Sequence, residues 1–139
     1  TISMGGRGTY ALGKNVAYTY KIVGKIGNIK ILQPIDAKKS LKLPEESHSS
    51  GAYVLLNKDG VFHQYREYNT EHKVVIEIGY HNERALGKGN VLHIHIHQRP
   101  GVENHGASDT EKRLLTKTEY KKYKYLFKGV KINEREYFS

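Results

Sequence analysis

Residues 92 to 97, Leu-His-Ile-His-Ile-His, alternate strictly between an apolar side chain and an imidazole. An extended strand sends successive side chains to opposite faces, whereas a helix would scatter these residues around its circumference. The run therefore reads as a strand, with Leu92, Ile94 and Ile96 entering a core and His93, His95 and His97 presented together on the other face. Imidazoles two residues apart on a strand stand about 7 Å from each other, a spacing that suits gripping a phosphate, a metal or two reacting oxygens. Histidine is also the side chain whose ordinary pKa best fits it to move protons near neutrality. Three of the chain's 8 histidines lie in this run, and His81 and His105 are the nearest outside it.

The surrounding sequence supplies more strands. Residues 16 to 23 and 29 to 33 carry β-branched and aromatic alternation, joined by Gly24 and Gly27-Asn28. From Pro34 to Ser50 no period is sustained, so an exposed loop is expected, with a helical turn around Asp36 to Leu41. A meander follows: Ala52 to Asn57, the turn Lys58-Asp59-Gly60, Val61 to Tyr68, a turn at Asn69 to His72, and Lys73 to Tyr80. Val74, Ile76, Ile78 and Tyr80 are expected on one face of that last strand, and His63 and Tyr65 together on one face of the strand before it. The loop Ala85 to Asn90 leads into the histidine strand.

After Gly101 the pattern changes. Thr116-Lys117-Thr118-Glu119 has the spacing of a capping box, and Tyr120, Tyr123, Leu126 and Phe127 recur at helical spacing up to a closing Gly129. Ser108 to Glu111 has the same cap spacing, predicting a short helical turn through Leu115. Strands followed by a late helix define an α+β class, an antiparallel sheet (meander) packed against a C-terminal helix. Length assigns residues 16–139 to a single domain, preceded by a linker-like segment, 1–15, in which Gly5, Gly6 and Gly8 stand out. The opening Thr1 without an initiator suggests a piece of a longer protein.

Lys and Arg number 23 against 14 Asp and Glu, and the resulting charge of +9 favours a polyanionic partner such as RNA. A chain without cysteine has no disulfide, no thiolate nucleophile and no cysteine zinc site. No apolar run is long enough for a membrane span, and no membrane partner is expected.

Three readings of the histidine strand compete. In the first, one imidazole takes the proton from a ribose 2′-hydroxyl, another protonates the leaving 5′-oxygen, and a cation steadies the phosphorane, with no metal or other cofactor. His95 and His97, with His81 as outside partner, are the candidate catalytic residues. His93, Arg99, Lys88, Arg84 and Tyr68 are the candidate substrate-binding residues, and Lys73 is a further cation. The second reading is a metal site, with Glu77, His81, Glu103 and His105 as added ligands. In the third the histidines are simply a wet face. The 11 tyrosines read mostly as core packing, Tyr65 and Tyr68 having the better claim to stack on bases.

Two resemblances bear on this choice. His93-Ile94-His95-Ile96-His97 after Gly87-Lys88-Gly89-Asn90-Val91 resembles the motif of the histidine-triad nucleotide hydrolases, which would imply a nucleophilic histidine attacking a nucleotide α-phosphate. It covers about a dozen residues, and Gln98-Arg99 stands where that motif has apolar residues. A longer likeness combines Gly5-Gly6-Arg7-Gly8, Glu67-Tyr68-Asn69, Ile76-Glu77-Ile78-Gly79-Tyr80-His81, His95-Ile96-His97 and Leu115-Thr116-Lys117-Thr118-Glu119. That order is similar to the C-terminal modules of phage head-morphogenesis and minor capsid proteins and of bacterial polymorphic toxins. The resemblance implies an RNase toxin of the barnase/EndoU/colicin/RelE group, cutting RNA without metal. An acidic immunity partner and action in the cytoplasm of a target cell, or association with a phage particle, would follow. A non-enzymatic phage or nucleic-acid-binding module is the alternative.

Overall fold

The computed structural model describes residues 20–35, 43, 51–97 and 110–139. Seven strands form one sheet in sequence order: β1 Tyr20–Ile26, β2 Ile29–Pro34, β3 Ala52–Leu56, β4 Phe62–Tyr68, β5 Val74–Asn82, β6 Asn90–His97 and β7 Thr110–Arg113. Every neighbouring pair is antiparallel except β2 and β3, which run parallel. A parallel pair cannot be joined by a tight turn. Leu43, which falls between them in sequence, is fully buried: its N–H donates to Gln64 Oε1 at 2.8 Å, and its carbonyl accepts from Arg66 Nη1 at 2.8 Å. The expectation of an exposed loop from Pro34 to Ser50 is thus corrected at Leu43 and at buried Pro34. The expected helical turn at Asp36 to Leu41 and the linker-like segment 1–15 lie outside the described residues.

The two faces of the sheet have different tasks. One carries Ala52, Val54, Leu56, Phe62, Tyr65, Ile78, Leu92 and Ile94, and the C-terminal elements cover it with Leu115, Tyr120, Tyr123, Leu126 and Phe127. The other holds a smaller apolar cluster, Tyr20, Leu32, Leu43, Tyr53, Leu55, Tyr68 and Val74, and beyond it the polar side chains described below. This is the α+β arrangement expected, with a sheet packed against a C-terminal helix.

Two bulges shift side chains from the expected faces. The β3–β4 register moves from Leu55↔Gln64 to Leu56↔Phe62, which leaves His63 as an extra residue. An extra residue advances the alternation by one, so His63 lies against His81 while Tyr65 enters the helix-side core against Tyr123. The expected common face of His63 and Tyr65 is therefore corrected. Likewise Glu67↔Ile76 is followed by Tyr68↔Val74, and Val74 joins the opposite cluster from Ile76, Ile78 and Tyr80.

The helix starts where the capping box predicts. Thr116 Oγ1 accepts from Glu119 N, Glu119 Oε1 accepts from Thr116 N at 2.8 Å, and α1 spans Lys117–Tyr123. It tightens into a 3-10 turn, Lys124–Leu126, and Gly129 adopts a φ of 76° that few other residues tolerate. A second short helix, α2 Glu134–Tyr137, follows the Asn133 cap. Its Tyr137 hydroxyl accepts from Leu115 N at 2.8 Å and donates to Leu92 O at 2.5 Å, tying the C-terminus to the histidine strand. The helical turn expected through Leu115 is overturned at residues 110–113, which form β7 on the edge of β6, because the unpaired edge of β6 offers a ladder of backbone partners that an isolated helical turn lacks. Ser108 and Asp109 lie outside the described residues.

Candidate active site

The histidine strand forms as its alternation requires. β6 pairs with β5 through Glu77↔His95, Gly79↔His93 and His81↔Val91, and with β7 through His95↔Lys112. Leu92 and Ile94 are buried in the helix-side core, and the three imidazoles stand on the other face. They do not act as one row. The rings of His95 and His97 lie 4.7 Å apart, and the ring of His93 turns the other way to meet His81, also at 4.7 Å.

Glu77 organises the first group. Its Oε1 faces His95 Nδ1 at 3.6 Å and His97 Nε2 at 3.9 Å. Its Oε2 accepts from Arg66 Nη2 at 3.1 Å, from Arg66 Nε at 3.3 Å and from Gln64 Nε2. The register explains this convergence, since Arg66 is opposite Glu77 on β4 and His95 is opposite Glu77 on β6. Burial by itself would raise the Glu77 carboxyl, but the two imidazoles and the Arg66 guanidinium outweigh it and hold the group well below the usual carboxylate range. Arg66 is buried, and its Nη1 donates to the Leu43 carbonyl. It therefore anchors Glu77 and is not a surface cation. His97 is buried, whereas the His95 side chain keeps 24 % of its surface exposed and is the more accessible imidazole of this pair.

The second group is His81, Glu83 and His93, with the His63 ring 5.6 Å from that of His81. His93 Nδ1 lies 2.8 Å from Val91 O, and His81 Nδ1 lies 3.2 Å from Asn82 O. Lys112, on β7, reaches Glu83 Oε2 at 3.1 Å and so holds the Glu83 carboxyl below its ordinary value. Burial pushes the His93 imidazole down, more than the Val91 hydrogen bond raises it. Gly79 lies beneath these rings: a Cβ there would come within 2.8 Å of His81 Nε2 and 3.0 Å of His93 Cε1. A cavity of about 330 Å³ opens beside the group, lined by His63, Tyr80, His81, Asn57, Lys58 and Asn90.

The sequence-predicted residues thus divide. His95 and His97 are brought together, but His81, expected as their partner, belongs with His93. Arg84 and Lys88 are exposed on the β5–β6 hairpin, at the end away from His97. Tyr68 is buried edge-on against Tyr53 at 5.7 Å, a core position that presents no ring face for stacking. Lys73 sits in the turn before β5, where its N–H donates to Asn69 Oδ1. Arg99, Glu103 and His105 lie outside the described residues. Sequence reasoning passed over Gln64, Arg66, Glu83 and Lys112. A signal for the first two exists: Glu77 is a single charge inside the apolar run Val74-Val75-Ile76-Glu77-Ile78, and a charge in a strand interior demands a buried partner.

Among the described residues no helix is long and apolar enough to cross a membrane. Comparison with known proteins gives no matching family model, no matching curated protein and no matching solved structure.

Proposed function

We propose that the domain is a metal-independent endoribonuclease of the toxin-effector kind, cleaving RNA by acid–base catalysis at His95 and His97. The observation that carries this reading is the Glu77 carboxylate shared between the two imidazoles and locked from behind by Arg66 and Gln64. A carboxylate at Nδ1 of His95 orients the ring and favours hydrogen on that nitrogen, which leaves Nε2 as the basic atom. Nε2 takes the proton of a ribose 2′-hydroxyl, and the 2′-oxygen attacks the adjacent phosphorus. The P–O5′ bond breaks as the second imidazole, His97, gives its proton to the leaving oxygen. The products are a 2′,3′-cyclic phosphate and a 5′-hydroxyl end, and proton exchange with water resets the pair.

Charge supports the choice of substrate. The chain carries +9, and Lys112 stands opposite His95 on β7, where an RNA phosphate approaching His95 meets it. Arg99, two residues beyond His97 in sequence, is a second candidate cation. The phage-module and toxin-module likeness in the sequence points the same way, and such an effector would require an acidic inhibitor.

The test is cleavage of a labelled RNA in the presence of chelator. Wild type is expected to cut and to leave cyclic phosphate ends, and His95→Ala and His97→Ala each to lose at least about a hundredfold in rate with circular dichroism unchanged. Undiminished cleavage by both variants ends the assignment. Hydrolysis of a dinucleoside polyphosphate with RNA left intact would favour the histidine-triad alternative. Salt-dependent RNA binding without cleavage would favour a binding module.

A further inference from the structure

We propose that His81, Glu83 and His93 form a binding site for one divalent transition-metal ion of the zinc type. The site is separate from the Glu77 group, and the ribonuclease chemistry proposed above does not use it. One donor atom from each of the three residues lies within 4.8 Å of the others. Donors around a tetrahedral ion with bonds of 2.0–2.1 Å stand about 3.4 Å apart, so small side-chain rotations close the shell.

The two imidazoles are presented for this purpose. A backbone carbonyl can only accept, so Val91 O and Asn82 O place the hydrogen on Nδ1 of His93 and of His81. The lone pair of each neutral ring then sits on Nε2. Metal-ligating histidines are held in this manner, with the far N–H engaged by a carbonyl or carboxylate. Gly79 supplies the room. Any side chain at that position would occupy the space taken by His81 Nε2 and His93 Cε1, so the missing Cβ is what lets two imidazoles from neighbouring strands converge.

The donor set selects the ion. Two imidazole nitrogens and one carboxylate suit zinc and its neighbours, whereas magnesium and calcium prefer all-oxygen shells. Lys112 holds Glu83 Oε2, but its side chain is 42 % exposed, and the carboxylate has a second oxygen. The Glu77 group offers a similar count of donors and is a poorer choice, because the buried guanidinium of Arg66 already neutralises that carboxylate and cannot leave. A fourth ligand, water or a small molecule, can enter from the cavity beside His63 and His81.

The test titrates metal-stripped full chain with Zn²⁺ by calorimetry and follows the melting temperature in parallel. Wild type is expected to bind one ion per chain and to melt higher with Zn²⁺ than in chelator, because an ion held by the folded state alone stabilises it. Glu83→Gln, at a partly exposed position, should weaken binding by more than about tenfold, and His93→Ala should abolish it. Gly79→Ala keeps all three donors but displaces the His81 ring, so it too should lose about tenfold or more. Glu77→Gln should leave the Zn²⁺ affinity unchanged. Absence of Zn²⁺ binding by wild type overturns the site, as do equal affinities for wild type, Glu83→Gln and Gly79→Ala. Binding lost in Glu77→Gln and kept in Glu83→Gln would place the ion elsewhere and overturn it equally.

Discussion

Glu77→Gln separates what the central carboxylate does for the fold from what it does for the chemistry. Arg66 is 3 % exposed and Glu77 17 %, and they meet at 3.1 Å. Removing one partner of a buried pair strands the other charge at a cost of about 3–5 kcal/mol. Glutamine keeps a carbonyl oxygen for the guanidinium, so part of this is returned and a loss of about 2–3 kcal/mol is expected. For a domain of this size that corresponds to a fall of about 10 °C in Tm. RNA cleavage should drop by about a hundredfold or more, since His95 loses the anion that orients it. The double variant Arg66→Met/Glu77→Gln removes the stranded charge. It should recover about 1 kcal/mol over Glu77→Gln, the recovery being partial because the Leu43 carbonyl loses its Arg66 donor, and it should recover no activity. Urea unfolding gives the cycle, and a fluorogenic RNA gives the rates. The sign in pH is also defined. A carboxyl depressed on folding contributes stability that is complete above the ordinary carboxylate range and is lost as pH falls through the folded value, so Glu77→Gln should flatten the acid branch of the stability curve. A Glu77→Gln protein that melts with wild type and cuts RNA normally would refute the reasoning, and so would a double variant no more stable than the single one.

Other substitutions probe the scaffold. Tyr137→Phe removes the hydroxyl shared by Leu115 N–H and Leu92 O, and urea titration should show a loss of about 2 kcal/mol. Thr116→Ala deletes half of the capping box and should cost about 1 kcal/mol by the same measurement. Glu119 is held at about 2, chiefly by its bonds to Arg113. Its stabilisation is therefore present above the ordinary carboxylate range and fades as pH falls toward about 2, and Arg113→Met should remove most of that acid-side slope, the Thr116 N–H retaining the rest. The pair is partly exposed, so solvent screening keeps the effect at neutrality to about 1 kcal/mol. His72 occupies the left-handed region at a φ of 66°, and His72→Gly should be neutral or stabilising by up to about 1 kcal/mol in thermal melts.

Much of the fold follows from local pattern. The two-residue alternation of 92–97 leaves no regular backbone other than a strand, and its apolar half entered the core as required. The capping box at Thr116 located the helix start to the residue, because its two reciprocal hydrogen bonds are made within four positions of chain. The meander from 52 to 80 was legible for the same reason, since hairpin turns and strand periodicity are short-range properties. Residues 110–113 were misread because a cap-like spacing is also a local signal, and only the neighbouring edge of β6 made a strand of them.

What the sequence determined by itself is that three imidazoles share one face of a strand in a basic chain. How they are partnered was decided by tertiary structure. Register on β5 set Glu77 against His95 and Gly79 against His93, and so divided the row into one pair sharing a carboxylate and another meeting His81 over a glycine. The buried Arg66 and Gln64 behind Glu77 come from β4, more than ten residues away in sequence, and the bulge that turns His63 toward His81 comes from the same strand. Alternation along a strand is a property of its own backbone, but the partner opposite each residue is set by which strands pair and in what register. One residue of slip would have sent every one of these side chains to the other face.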